Sequence, residues 1–161
     1  MISRLFLSAF LILSFSAFSQ SGQAVSSVNT FMDRWHQAAA EANAAGFLDL
    51  MSENSVYIGT DSWEHWNKAE FVAFAKPYFD RGKAWTFHPI SRDVHISPDG
   101  NLAWFSELLH TQMGICRASG VLSKKDDSWL VEQYHLSVTV PNELIDSFKE
   151  LVVGKQKTEK P

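Results

Sequence analysis

Residues 85–96 (WTFHPISRDVHI), 102–111 (LAWFSELLHT), 115–123 (ICRASGVLS) and 129–140 (WLVEQYHLSVTV) follow one another with only short polar breaks between them. Each run is long and rich in aromatic and β-branched residues, which reads as four consecutive strands joined by tight turns. Helical patterns come before this meander and one more comes after it. Helices first and an antiparallel meander second describe an α+β fold, a cone-shaped curved antiparallel sheet wrapped around N-terminal helices. Such a cone leaves a hollow between sheet and helix, where a small ligand can sit.

The breaks supply the turns. Ser97-Pro98-Asp99-Gly100-Asn101 is a tight turn, because proline presets one dihedral and glycine accepts a positive one. Met113-Gly114 makes a second turn and residues 124–128 a third. Pro89 cannot donate to a ladder, which places it at an edge or a bulge. Pairing across these turns sets Arg92 opposite Glu107, Leu109 opposite Ala118, and Ala118 opposite His135. Side chains alternate, so one face collects Arg92, Phe105, Glu107, Cys116, His135 and Ser137 around the small residues Ala118 and Gly120. That composition suits a pocket wall. The other face collects Trp104, Leu108, Tyr134 and Leu136 with Arg117 and His110. In water it would be a large apolar patch, and such patches mark interfaces. A homodimer through Trp104, Leu108, Tyr134 and Leu136 is expected. A slip of one residue would exchange the faces of any strand.

Upstream, Val28, Phe31, Met32, Trp35, Ala38, Ala39 and Ala42 recur at three- and four-residue steps, predicting a helix over 26–45 that Gly46 stops. A short helix over 47–51 and a strand over 55–59 follow, then a loop from Gly59 to Trp66. Asn67 with Glu70 three residues on is a capping-box variant that opens a helix over 68–80. Pro77 inside it kinks it or begins its last turn. Pro141 closes the last strand, and Asn142 caps a helix over 143–152. Residues 26–152 therefore make one domain, and the charged tail 153–161 is expected to be loose.

Residues 1–19 combine Arg4, an uncharged apolar run and a small-residue ending. This is the pattern of a secretory signal peptide. The run is shorter than the about 20 apolar residues a membrane span needs. The expected location is periplasmic or secreted, with no stable membrane anchor after cleavage; an uncleaved anchor is the alternative. Lys and Arg number 14 against 18 Asp and Glu, a net charge of −4, which argues against a nucleic-acid partner. The single cysteine, Cys116, has no partner for an internal disulfide. Buried, it acts as a small inert hydrophobe.

The order of elements, with Gly59-Thr60-Asp61 and Trp66 ahead of the third helix, resembles the nuclear transport factor 2-like superfamily, and within it the SnoaL-like proteins. Ala103-Trp104-Phe105 with Glu107, and Trp129-Leu130-Val131 followed by His135-Leu136-Ser137 and Pro141, are similar to stretches those proteins carry. The resemblance covers about residues 28–140. It implies the cone fold, but it spans steroid isomerases, cyclases, dehydratases and hydrolases as well as domains that only bind or dimerise. Fold likeness therefore selects no reaction. The isomerases' tyrosine-plus-carboxyl pair has no clear counterpart in the sequence.

The candidate catalytic groups are His135, Asp61 and Glu107. His135 could act as a general base, the role an unperturbed imidazole suits at neutral pH. Glu107 could be an acid raised by burial, or it could be paired to Arg92 and depressed. Asp61 could grip a substrate at the mouth of the cone, or form an Asx turn. Trp63, Trp66 and Tyr78 could rim the pocket for a flat apolar ligand, with Phe105, Glu107, Cys116, His135 and Ser137 along its wall. His36, Asp33 and Glu41 on the first helix read as a solvated polar face. No HExxH pattern, phosphate loop or G-x-S-x-G elbow appears, so no metal and no cofactor is expected. Two functions follow: an exported protein that binds a small apolar or amphipathic molecule, or a cofactor-free isomerase, cyclase, dehydratase or hydrolase using His135 with Asp61 or Glu107 for proton transfer.

Overall fold

The computed structural model describes the backbone of residues 3–158 and the side chains of residues 22–154. The side chains of the leader 1–19 and of residues 155–161 in the expected tail lie outside the described residues. Helix α1 covers Ser3–Ala40 and α2 Ala44–Phe47, followed by strands β1 Met51–Ile58 and β2 His65–Asn67. Helix α3 covers Lys68–Asp80. Strands β3 Phe87–Ile96, β4 Leu102–Thr111, β5 Gly114–Lys125 and β6 Ser128–Val138 follow, and a 3-10 turn at Asn142–Leu144 leads into α4, Ile145–Thr158. α4 thus continues past the expected end of the helix at residue 152.

One six-stranded sheet carries the fold, in the order β2-β1-β6-β5-β4-β3. The meander β3 to β6 is antiparallel as the sequence predicts, while β1 lies parallel to β6. β3 forms the sheet edge, and its register shifts between Pro89 and Ser91. Proline thus occupies the edge and bulge position its missing N–H demands. Asn67 closes a full capping box: its side chain accepts from the Glu70 N–H, and Glu70 accepts from the Asn67 N–H at 2.9 Å.

Helix α1 turns Val28, Met32, Trp35, Ala38 and Ala39 into the concave side of the sheet, all of them buried. Trp35 stacks on Phe47 with centroids 4.2 Å apart, meets Tyr134 edge-on at 4.9 Å, and donates its indole N–H to the Phe47 carbonyl at 2.9 Å. This wedge of rings holds helices and sheet together, since buried aromatics contribute more than their area alone.

Register decides which side chains look inward. Arg92 pairs with Glu107 as expected. Across the second turn Leu109 pairs with Cys116, not Ala118. That slip of two leaves every face unchanged. The third hairpin is different. Its pairing starts at Lys125 and Ser128 and holds to Leu122 and Val131, then shifts, so that Ala118 faces Leu136 and not His135. Glu132 is the extra residue, a β-bulge. Its carboxylate accepts from Ser52 and Ser123 hydroxyls, which anchor the kink. Beyond it the two faces of β6 are exchanged: Tyr134 and Leu136 are buried inward, while His135 and Ser137 lie outward and bond only each other, at 3.3 Å.

Candidate functional site: an aromatic cavity beside a buried charge cluster

The concave side holds a cavity of about 220 Å³ between α3, β1 and the open end of the meander. Trp66, Phe71, Phe74, Tyr78 and Trp85 form its ring wall. α3 presents Phe71, Phe74 and Tyr78 at three- and four-residue steps, so all three share one helix face. Trp66 stacks on Phe74 at 4.5 Å, and Tyr78 lies 5.3 Å from Trp85. Tyr57, Phe87 and Leu136 close the inner end. Thr60, Glu64, Gln112 and Met113 stand at the mouth, from the β1–β2 loop and the β4–β5 turn.

Behind Phe87 and Tyr57 lies a cluster of buried charge. Glu107 is 1 % exposed. Its Oε2 accepts from Arg92 Nε at 2.8 Å, and its Oε1 accepts from the Tyr134 hydroxyl at 3.3 Å. His36 Nε2 stands 3.1 Å from Oε1, off the line of a well-formed hydrogen bond. Arg92 Nη1 reaches α1, donating to Asp33 at 2.9 Å and to the Asn29 side chain and carbonyl at 3.2 Å. Burial works to raise the Glu107 pKa, but His36 and then Arg92 outweigh it and hold the carboxyl below its ordinary range. Burial above all, and then the charge of Glu107, pushes the Tyr134 hydroxyl well above its ordinary value. A depressed carboxylate hydrogen-bonded by its neighbours is a structural anion and a poor proton carrier at neutral pH.

Of the residues singled out in the sequence, Trp66 and Tyr78 line the cavity. The others are placed elsewhere. His135 and Ser137 face outward because of the bulge at Glu132. Asp61 sits in an exposed loop away from the cavity lining, where its Oδ1 accepts from the N–H of the next residue, Ser62, at 2.6 Å. Trp63 is 63 % exposed and packs edge-on against Trp66 from outside. Phe105 and Cys116 are buried in the core, and Cys116 contacts the Thr111 hydroxyl at 3.4 Å. Glu107 points inward as expected, and its pairing with Arg92 is the depressed alternative. His36 is 2 % exposed and corrects the reading of it as part of a solvated face. The rings at positions 57, 71, 74, 85 and 87 went unassigned because three elements and the loop ahead of β3 contribute them. Among the described residues no group of three or more His, Cys, Asp or Glu is placed to hold a metal ion.

With this geometry in view, comparison with known proteins gives one family: residues 28–141 match the SnoaL-like domain. The chain belongs to the SnoaL-like domain family. Among proteins with curated functions, none matches it. Several solved structures share its fold. An NTF2-like protein of unknown function from Pseudomonas putida is 19 % identical, with a TM-score of 0.64 over 76 % of this chain and 92 % of its own. A protein from Streptomyces avermitilis, proposed to be a dehydratase of the NTF2-like family, is 14 % identical, with a TM-score of 0.63 over 74 % and 99 %. A Nostoc punctiforme protein of unknown function with a cystatin-like fold is 10 % identical, with a TM-score of 0.57 over 70 % and 89 %. At these identities the likeness concerns the cone, so this SnoaL-like domain shares an architecture that serves both ligand binding and catalysis.

Proposed function

We propose that this SnoaL-like domain binds a small, flat, apolar or amphipathic molecule in its ring-walled cavity and works outside the cytoplasm as a homodimer. One observation supports binding over chemistry: the cavity is walled by aromatic rings, while the buried carboxylate nearest to it is already engaged by Arg92, His36 and Tyr134. None of His135, Asp61 and Glu107 lines the cavity. Aromatic walls with a few polar groups at one end are the composition of a small-molecule site.

Titration of the native chain with 2-naphthol, followed by tryptophan emission, tests the reading. Saturable quenching is the expected result, since Trp66 and Trp85 both face the guest. Trp66→Ala should weaken binding by about tenfold, which corresponds to ~1.4 kcal/mol for one lost ring contact. Absence of any saturable change in the native chain would count against a binding site there.

Export rests on the basic, apolar and small-residue pattern of residues 1–19. The intact mass of the protein recovered from its native host should correspond to a chain that begins after Ser19. A mass that retains Met1 or Ile2 would exclude cleavage. The homodimer rests on the outer sheet face, where Trp104 is 47 % exposed and Leu102 and Ile115 are also exposed. Leu108 lies on that face, half-buried, whereas Tyr134 and Leu136 belong to the inner one and leave the surface first assigned to it.

A further inference from the structure

The geometry points to an organic cation as the guest of the cavity: a small amine or quaternary ammonium carried on an aromatic or compact apolar body. This rests on the reading of the cavity as a binding site and narrows its ligand class.

The charge of the lining is one-sided. Glu64 is its carboxylate, and among the described residues no Lys, Arg or His side chain lines the cavity. The other acidic groups of the core and its borders are engaged. Glu107 has Arg92 and His36, Glu53 has Lys68, and Glu70 closes the α3 capping box. Glu64 accepts a single hydrogen bond, from the Asp61 N–H to Oε2 at 3.1 Å. Among the described residues no cation pairs with it. A half-buried carboxylate at an apolar cavity, with most of its acceptor capacity unused, favours a positively charged donor in that space.

The backbone holds the carboxylate there. Gly59 lies beneath the Glu64 side chain, and a Cβ at position 59 would collide with Glu64 Oε2 and Cβ. The Gly59 N–H donates to the Glu64 carbonyl at 2.8 Å, which closes the loop over the mouth. The charge reaches across the cavity. Burial first, and then Glu64, push the Tyr57 hydroxyl above its ordinary value.

The rings complete the case. The faces of Trp66, Trp85, Phe74 and Tyr78 carry the negative side of their quadrupoles, which attracts cations. Arg81 already uses this at the border of the site, its guanidinium carbon 4.7 Å from the Tyr78 ring centre. A carboxylate or phosphate guest would meet Glu64 and the ring faces with like sign, and among the described residues no basic side chain lines the cavity to receive it. At about 220 Å³ the space lies below the ~300 Å³ at which drug-sized sites begin. One ring with a trimethylammonium group suits it.

Three probes of one shape test this on the full chain: phenyltrimethylammonium, its neutral carbon isostere tert-butylbenzene, and benzoate, each titrated against tryptophan emission. The ammonium is expected to bind at least about tenfold more tightly than tert-butylbenzene, with benzoate weakest. Glu64→Gln should cost the ammonium about tenfold and leave tert-butylbenzene unchanged; the glutamine carbonyl can still accept from Asp61. If Glu64→Gln melts early, salt dependence in the native chain decides, because raising salt should weaken the ammonium alone. Equal saturable binding of ammonium and isostere would overturn the cation and leave the cavity a binding site. So would tighter binding of benzoate, or an equal loss of both probes in Glu64→Gln. Binding of none of the three would overturn the binding site together with the cation.

Discussion

Glu107 decides how this cone is held shut. Its carboxylate joins β3, β4, β6 and α1 through Arg92, Tyr134 and His36. Replacing Glu107 removes the anion these buried partners share. Glu107→Gln would leave the buried Arg92 guanidinium with Asp33 as its remaining carboxylate partner, while its Nη2 already lacks a partner. A loss of about 3–5 kcal/mol in urea unfolding is expected, the usual cost of breaking one side of a buried pair. The sign with pH follows from the depressed carboxyl. A lowered folded-state pKa gives stability that is complete above the unfolded value, and that is lost as pH falls through the folded one. Wild-type stability should fall on acidification from pH 5 downward, and Glu107→Gln should flatten that limb. An unchanged acid limb in the variant would remove Glu107 from the acid response.

At the scale of elements, the β5–β6 hairpin shows how a local turn and a distant anchor divide the work. Asp126 and Asp127 sit at φ 48° and 62°, both left-handed, in a two-residue loop between Lys125 and Ser128. Such turns favour Asn-Gly, because β-carbons strain at positive φ. Changing the pair to Asn-Gly should raise stability by about 1 kcal/mol, read from the denaturant midpoint; a lower midpoint would refute the strain. The loss of the Lys124–Asp127 pair is minor, since Asp127 is almost fully exposed. The same hairpin was legible in the sequence up to Val131. Beyond it the register depended on Glu132, whose bulge is stabilised by a hydroxyl 80 residues earlier, at Ser52. A period-2 pattern carries no trace of that contact, so His135 and Tyr134 exchanged places.

For the molecule as a whole, the outer sheet face remains the surface to explain. Trp104 stands on it, stacked on His95 at 5.5 Å, with Leu102 exposed on the same strand and Ile115 exposed at the far end of β5. If two such faces meet, Trp104→Glu should shift the sedimenting species from dimer to monomer and leave the circular dichroism melt of the body intact. A charge directly opposite its symmetry mate, once desolvated, costs several kcal/mol. A native chain that sediments as a monomer, or a variant that stays dimeric, would remove this face from the assembly.

By itself the sequence determined the α+β order, the α3 boundaries, the capping box at Asn67, the edge position of Pro89 and the meander, because each depends on neighbours within a few residues. It also placed Glu107 opposite Arg92, since a hairpin turn counts residues reliably over that span. Tertiary structure alone decided which rings join Trp66 and Tyr78 around the cavity, that His36 is buried beside Glu107, and that His135 turns away. Those outcomes depend on contacts between segments tens of residues apart. There, packing and hydrogen bonding select one register among several that the local pattern permits equally.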